Sequence, residues 1–130
     1  GLFFIFFSEV SMPFINWDEV PPNELAPGAR IRAPYGQNLM LSRVEIDESA
    51  VVPLHHHPHE QAGIVLSGRM ELTIGDETRI LEVGEAFIIP PNVPHSATAP
   101  VGPVVLLDIF SPIREDYVEL ANQYIPPVES

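Results

Sequence analysis

Residues 61–83 read QAGIVLSGRMELTIGDETRILEV, and this stretch decides the fold class. It holds three short runs of β-forming residues, parted by Ser67-Gly68 and by a Gly-Asp-Glu tip at 75–77. Gly-Asp pairs between alternating apolar runs mark tight hairpins, and no run is long enough to show the 3.6-residue period of a helix. Working outward, LMLSRVEI at 39–46 puts Met40, Ser42, Val44 and Ile46 on one face of a strand and Leu39, Leu41, Arg43 and Glu45 on the other. Asp-Glu-Ser at 47–49 then turns the chain. AVVPLHHH, EAFIIPPN, VPHSATA and PVVLLDIF continue the pattern, each ended by Gly, Pro, Asn or Asp. So many strands with no helix between them predict an antiparallel barrel or sandwich.

The flanks read differently. After Ser111-Pro112, REDYVELANQY spaces Tyr117, Leu120 and Tyr124 for one face of a two-turn helix, stopped by Pro126-Pro127. The sequence therefore divides into an N-terminal extension with edge segments (1–37), a barrel (38–111) and a helical tail (112–130), all within one domain. LFFIFF at 2–7 is too short to span a membrane and lacks the basic flank of a signal peptide. It reads equally as a β-segment seeking a sheet edge, that of a second subunit included, or as an extension upstream of a start at Met12.

Charge narrows the partners. Eighteen acidic residues face six basic ones, all arginine, for a formal net charge of −12. Such a field repels phosphate backbones and anionic lipid, so neither nucleic acid nor a membrane surface is an expected partner. An anionic small molecule would need local cations. The chain has no cysteine, which removes disulfides, thiolate metal sites and cysteine nucleophiles and points to a cytoplasmic setting.

Four of the five histidines fall in LHHHPHEQ at 54–61. Alternation in an extended segment puts His55 and His57 on one side and His56 on the other. Pro58 breaks that parity, leaving His59 at the rim, and the face restarts with Gln61, Gly63 and Val65. If residues 55–57 pair with 61–66 across the turn, Gln61 returns toward the histidines. The fifth histidine, His95, follows the proline-pinned turn PPNVP. A histidine cluster can also be a tract that binds metals adventitiously, but one enclosed by apolar strands is unlike a terminal tag.

These spacings resemble the two motifs of the cupins. Against G-x5-H-x-H-x3,4-E-x6-G the chain sets Ser49, His55, His57, Gln61 and Gly68, with Ser49 for the glycine and Gln61 for the glutamate. Against G-x5-P-x-G-x2-H-x3-N it sets Gly84, Pro90, Asn92, His95 and Ala99, with Asn92 for a glycine and Ala99 for the asparagine. Asparagine tolerates the left-handed turn that glycine would take. The resemblance implies an all-β cupin jelly-roll barrel with a short C-terminal helix. It also implies a divalent transition metal (nickel, zinc, manganese, iron or cobalt) on His55, His57, Gln61 and His95. A neutral Gln61 in place of glutamate leaves the ion its full charge, favouring Lewis-acid work over oxygen activation.

The last strand adds LLDIFSPIRED at 106–116. Asp108 and Phe110 share a face, and Arg114 follows a Ser-Pro turn. Asp108 can move a proton, Phe110 can wall a pocket, and Arg114 can grip a carboxylate. In the plainer reading Asp108 caps the strand, Phe110 is core, and Arg114 pairs with Glu115 or Asp116 at the surface. Together with the histidine motifs this stretch resembles the pectin-degradation cupins that act on 4,5-unsaturated uronates. That resemblance implies Asp108, Phe110 and Arg114 as pocket residues. It implies conversion of the unsaturated monosaccharide, an anionic sugar acid, to its linear keto form, and a homodimer. Arg30 and Arg32 are further candidates for the carboxylate. The alternatives are a small-molecule metal dioxygenase and a non-catalytic sugar-binding module.

Overall fold

The computed structural model describes residues 13–122. Ten strands run in chain order: β1 (Asn23–Ala26), β2 (Ala29–Arg32), β3 (Met40–Ile46), β4 (Val51–His55), β5 (Glu60–Ser67), β6 (Met70–Ile74), β7 (Glu77–Leu81), β8 (Ala86–Ile89), β9 (His95–Thr98) and β10 (Val104–Ser111). A helix, α1 (Glu115–Asn122), closes the described chain, and a single 3₁₀ turn at Trp17–Glu19, capped by the Asn16 side chain, opens it. The strands form two antiparallel sheets, ordered β1-β2-β3-β10-β5-β8 and β4-β9-β6-β7. Two sheets facing one another across an apolar interior make the jelly-roll barrel expected from the sequence. β1 and β2 lie N-terminal to residue 38 and supply the outer edge of the larger sheet. The segment LFFIFF and Tyr124 lie outside the described residues.

Alternation holds where it was clearest. Met40, Ser42, Val44 and Ile46 are buried along β3, and Val104, Leu106, Asp108 and Phe110 along β10. The hairpin tip after β6 is Gly75-Asp76, with Gly75 at φ 60°. Both residues that stand where the cupin motifs carry glycine, Ser49 and Asn92, adopt positive φ, at 70° and 66°. The left-handed turns survive the substitutions, at a modest cost for serine.

One expected pairing is not formed. The segment carrying His55 does not pair with 61–66: β4 pairs with β9 in the small sheet, while β5 pairs with β10 and β8 in the large one. Pro58 cannot donate to a ladder, and the chain leaves extended structure between His55 and Glu60. It crosses from one sheet to the other there. Gln61 therefore meets the histidines from across the barrel rather than as a strand neighbour.

Candidate active site

The site is assembled from both sheets. His55 ends β4 and His95 begins β9, directly opposite one another in the ladder, with ring centroids 4.2 Å apart. His57 stands just beyond β4, its ring 4.9 Å from that of His95. Each of the three imidazoles sets Nδ1 against a backbone carbonyl two residues away: His55 on Pro53 (2.7 Å), His57 on His59 (3.1 Å) and His95 on Val93 (2.9 Å). Donation there fixes one tautomer and leaves every Nε2 as a lone pair. The potential ligand atoms of His55, His57 and His95 all lie within 4.8 Å of one another, so these three residues can hold a metal ion.

Two further observations test that fit. His95 Nε2 is buried with no hydrogen-bond partner, a cost unless something accepts its lone pair. His57 Nε2 faces Gln61 Oε1 at 3.0 Å. With the Nδ1 proton committed to His59, both atoms are acceptors, and two lone pairs at that distance repel unless a cation lies between them. Nitrogen and oxygen ligands each about 2.1 Å from one ion are spaced in this way. Two of the imidazoles are also held against protonation: burial, helped by the nearby Arg114 and His95 charges, lowers the His57 pKa to about 4, and burial lowers that of His95.

Beyond the imidazoles lies a cavity of about 40 Å³, lined among others by His55, Gln61, His95, Asp108, Phe110 and Arg114. That volume admits an ion with a water or two. Among the described residues the buried polar side chains are Ser42, His57, Gln61, His95, Asp108 and Arg114. All but Ser42 were candidates from sequence. Asp108 caps nothing: it sits mid-strand in β10, and Oδ1 is buried without a partner. Burial pushes its carboxyl up to about 7, against the smaller opposing pulls of Gln61 and Arg114. Phe110 is at once core and cavity wall, 1% exposed, with its ring edge-on to His57.

Arg114 does pair with Asp116, at 3.2 Å from Nε and 2.7 Å from Nη2, as the plainer reading had it. The pair is not a surface one on the arginine side. The Arg114 guanidinium is buried, stacked 3.9 Å from the Tyr117 ring and 5.1 Å from that of Phe110. Asp116 is held below the usual carboxylate range, the arginine outweighing the opposing effect of burial. The two secondary arginines are engaged elsewhere: Arg30 with Glu45 and Asp47, and Arg32 with the Trp17 and Val20 carbonyls. His56 is exposed, and His59 contributes the carbonyl that orients His57.

Sequence reasoning assigns no role to Ser42, Gly63 or Tyr117, yet all three shape the site. Asp108 lies between Ser42 on β3 and Gly63 on β5 in register. A Cβ on Gly63 would fall 2.6 Å from Asp108 Oδ1 and against the Phe87 ring, so the bare glycine is what lets the carboxyl lie there. The available signal was a small or polar residue on an otherwise apolar strand face.

The cupin domain family matches residues 42–110. The chain belongs to the cupin family. Pectin degradation protein KdgF of Dickeya dadantii is 33% identical over 103 residues, spanning 78% of this chain and 94% of that protein. The solved structure of KdgF from Halomonas sp. is 35% identical, with a TM-score of 0.73, covering 80% of this chain and 97% of that one. An RmlC-like cupin from Shewanella frigidimarina superposes with a TM-score of 0.77 at 28% identity, over 82% and 96% of the two chains. This cupin is thus similar, over most of its length, to a pectin degradation protein. Among its described residues no helix is long and apolar enough to cross a membrane.

Proposed function

We propose that this cupin converts a 4,5-unsaturated uronate monosaccharide to its linear keto form, with a divalent metal on His55, His57, Gln61 and His95. What carries the reading is the placement of Asp108, Phe110 and Arg114 on the same cavity as His55, Gln61 and His95, in a chain whose relatives include KdgF proteins. The ion, when bound, supplies Lewis acidity to a substrate oxygen. The protein supplies the rest. Asp108, with a pKa of about 7, is divided between acid and base at neutral pH. It takes the proton of the anomeric hydroxyl as the hemiacetal opens to an aldehyde. The bond between the anomeric carbon and the ring oxygen breaks, that oxygen becomes a keto oxygen on the alkene carbon that bears it, and the proton goes to the other alkene carbon, so the reaction is an isomerisation with no atom gained or lost. Arg114 spends Nε and Nη2 on Asp116, which leaves Nη1 for the substrate carboxylate. Phe110 and Tyr117 screen the guanidinium from water.

The test is absorbance at the enol chromophore, with metal-loaded protein and unsaturated galacturonate and guluronate. Decay faster than the spontaneous rate is expected for at least one. Equal decay for both removes the reading, and binding without turnover assigns the chain to the sugar-binding modules instead. Substrate-dependent oxygen uptake on iron would favour the dioxygenase. We also propose a homodimer, because the outer face of the large sheet leaves Leu66 and Ile88 exposed. Sedimentation should give twice the chain mass, and Ile88→Asp should return it to one.

A further inference from the structure

The metal cavity is too small for the substrate proposed for it. About 40 Å³ holds an ion and a water, whereas ligand sites occupy roughly 300–1,000 Å³. A second cleft, of about 490 Å³, lies between the free edges of the two sheets, where β7 and β8 face without pairing. Leu72 and Phe87 line both spaces. The ladders place them side by side: Ile74, in the cleft wall, is opposite His95, and Phe87 is opposite Gly63, two residues along β5 from Gln61. Phe87 rests its ring on the bare α-carbon of Gly63, so the partition between the two spaces is two side chains, Leu72 and Phe87, the second lying on a glycine.

We infer that this cleft seats the sugar ring, with the edge of a polyhydroxylated monosaccharide that carries the carboxylate, the ring oxygen and the anomeric hydroxyl passing Phe87 toward the histidines and Asp108, and the edge that carries the remaining hydroxyls held at the rim. The inference rests on the function proposed above. The rim chemistry suits that orientation. Glu77, Arg79 and Glu85 supply two carboxylates to one guanidinium, and Arg79 is itself hydrogen-bonded to Glu77 at 2.6 Å. Such a rim repels a carboxylate but accepts hydrogen bonds from hydroxyls. Arg114, and the ion that the histidines and Gln61 would hold, belong to the inner end. Apolar Ile74, Leu81 and Phe87 between the two ends suit the face of a sugar ring.

Because the chain has no cysteine, a single thiol can be placed on the cleft and capped after folding. Arg79→Cys, loaded with cobalt(II), is titrated with saturated D-galacturonate and followed by its visible absorption, before and after reaction with N-phenylmaleimide. Thr78→Cys, one residue along and outside the cleft lining, is the control. The expected result is galacturonate binding weakened at least about tenfold by the adduct on the Arg79→Cys protein, unchanged by the adduct on Thr78→Cys, and an unaltered cobalt content in both. Unchanged binding after capping Arg79→Cys overturns the inference, and so does a wild-type cobalt spectrum indifferent to galacturonate. Blocked binding in a protein that leaves unsaturated uronates alone would remove the proposed reaction and keep the cleft; turnover undiminished by the cap would do the reverse.

Discussion

Gly63→Ala tests whether a missing side chain builds the acid site. The added Cβ would lie 2.6 Å from Asp108 Oδ1 and 2.8 Å from Phe87 Cε1, with Phe87 Cζ nearer still. Contacts below 3 Å force something to move, and inserting one carbon into a packed interior costs about 1–3 kcal/mol. Replacing glycine within a strand returns about 0.5–1 kcal/mol of backbone entropy. The net expectation is a loss of about 1–2 kcal/mol, or a fall in Tm of about 4–8 °C for a domain this size. Calorimetry on the metal-free protein measures it. The same substitution over Phe87→Leu, which lacks Cε1 and Cζ, should cost less by at least about 0.5 kcal/mol, because the residues are coupled through one contact. What remains of the penalty belongs to Asp108. In the single variant the displaced carboxyl should also lower turnover by about 100-fold for a shift on the order of 1 Å. A Gly63→Ala protein with unchanged Tm, or with the same loss in both backgrounds, would refute the packing on which this account of Asp108 depends.

Three other outcomes are expected. Asp108→Asn should retain metal and lose about 10²–10⁴ in turnover. It should also change how stability responds to pH: with the folded carboxyl raised from 3.8 to about 7, the folded state keeps a proton the unfolded chain has released. Metal-free wild type should therefore lose stability as pH rises from about 4 to about 7, by at most about 4 kcal/mol, and the Asn variant should lack this loss in denaturant titrations. Gln61→Glu should bind a divalent ion more tightly in isothermal titration yet turn over more slowly, since a carboxylate there neutralises part of the ion's charge and pushes Asp108 further from ionisation. Arg114→Lys, unable to hold Asp116 through two nitrogens or to stack on Tyr117 as a plane, should raise KM by about tenfold with a smaller change in kcat.

How much of this was legible in the sequence follows from which signals are local. Strand parity is local, so the inward faces of β3, β5 and β10 could be read from alternation alone. Left-handed turns are local too, and Asn92 adopts the conformation its motif position asks for. Pairing is not local. Nothing between His55 and Glu60 says that the chain changes sheet there, and the pairing expected for Gln61 was replaced by an approach across the interior. The burial of Arg114 was equally hidden: DxFxxxR gives its position, but only the packing of α1 against β10 puts the guanidinium between Phe110, Tyr117 and Asp116. Gly63 was passed over because a glycine carries no chemistry, and its contribution is the space beside Asp108.

The electrostatics of the site close on a single distinction between charged and neutral donors. Three neutral imidazoles and a neutral amide would leave a divalent ion with its full charge inside a chain of net charge −12. The field of that chain attracts cations and repels anionic sugars. An acidic ligand would have made the metal easier to hold and less useful, since each carboxylate at the ion subtracts from the charge available to a substrate oxygen. The carboxyl that the site does bury, Asp108, stands beside Gln61 and is pushed up to about 7 by burial, so at neutral pH it is divided between a neutral form that subtracts nothing from the ion and an anion that can take a proton. Arg114 is tethered to Asp116, which fixes its position while leaving one nitrogen unspent. Replacing Gln61 by a carboxylate should therefore act in two places at once, on the ion and on Asp108, and its effect on turnover should exceed that of any comparable change at the exposed rim.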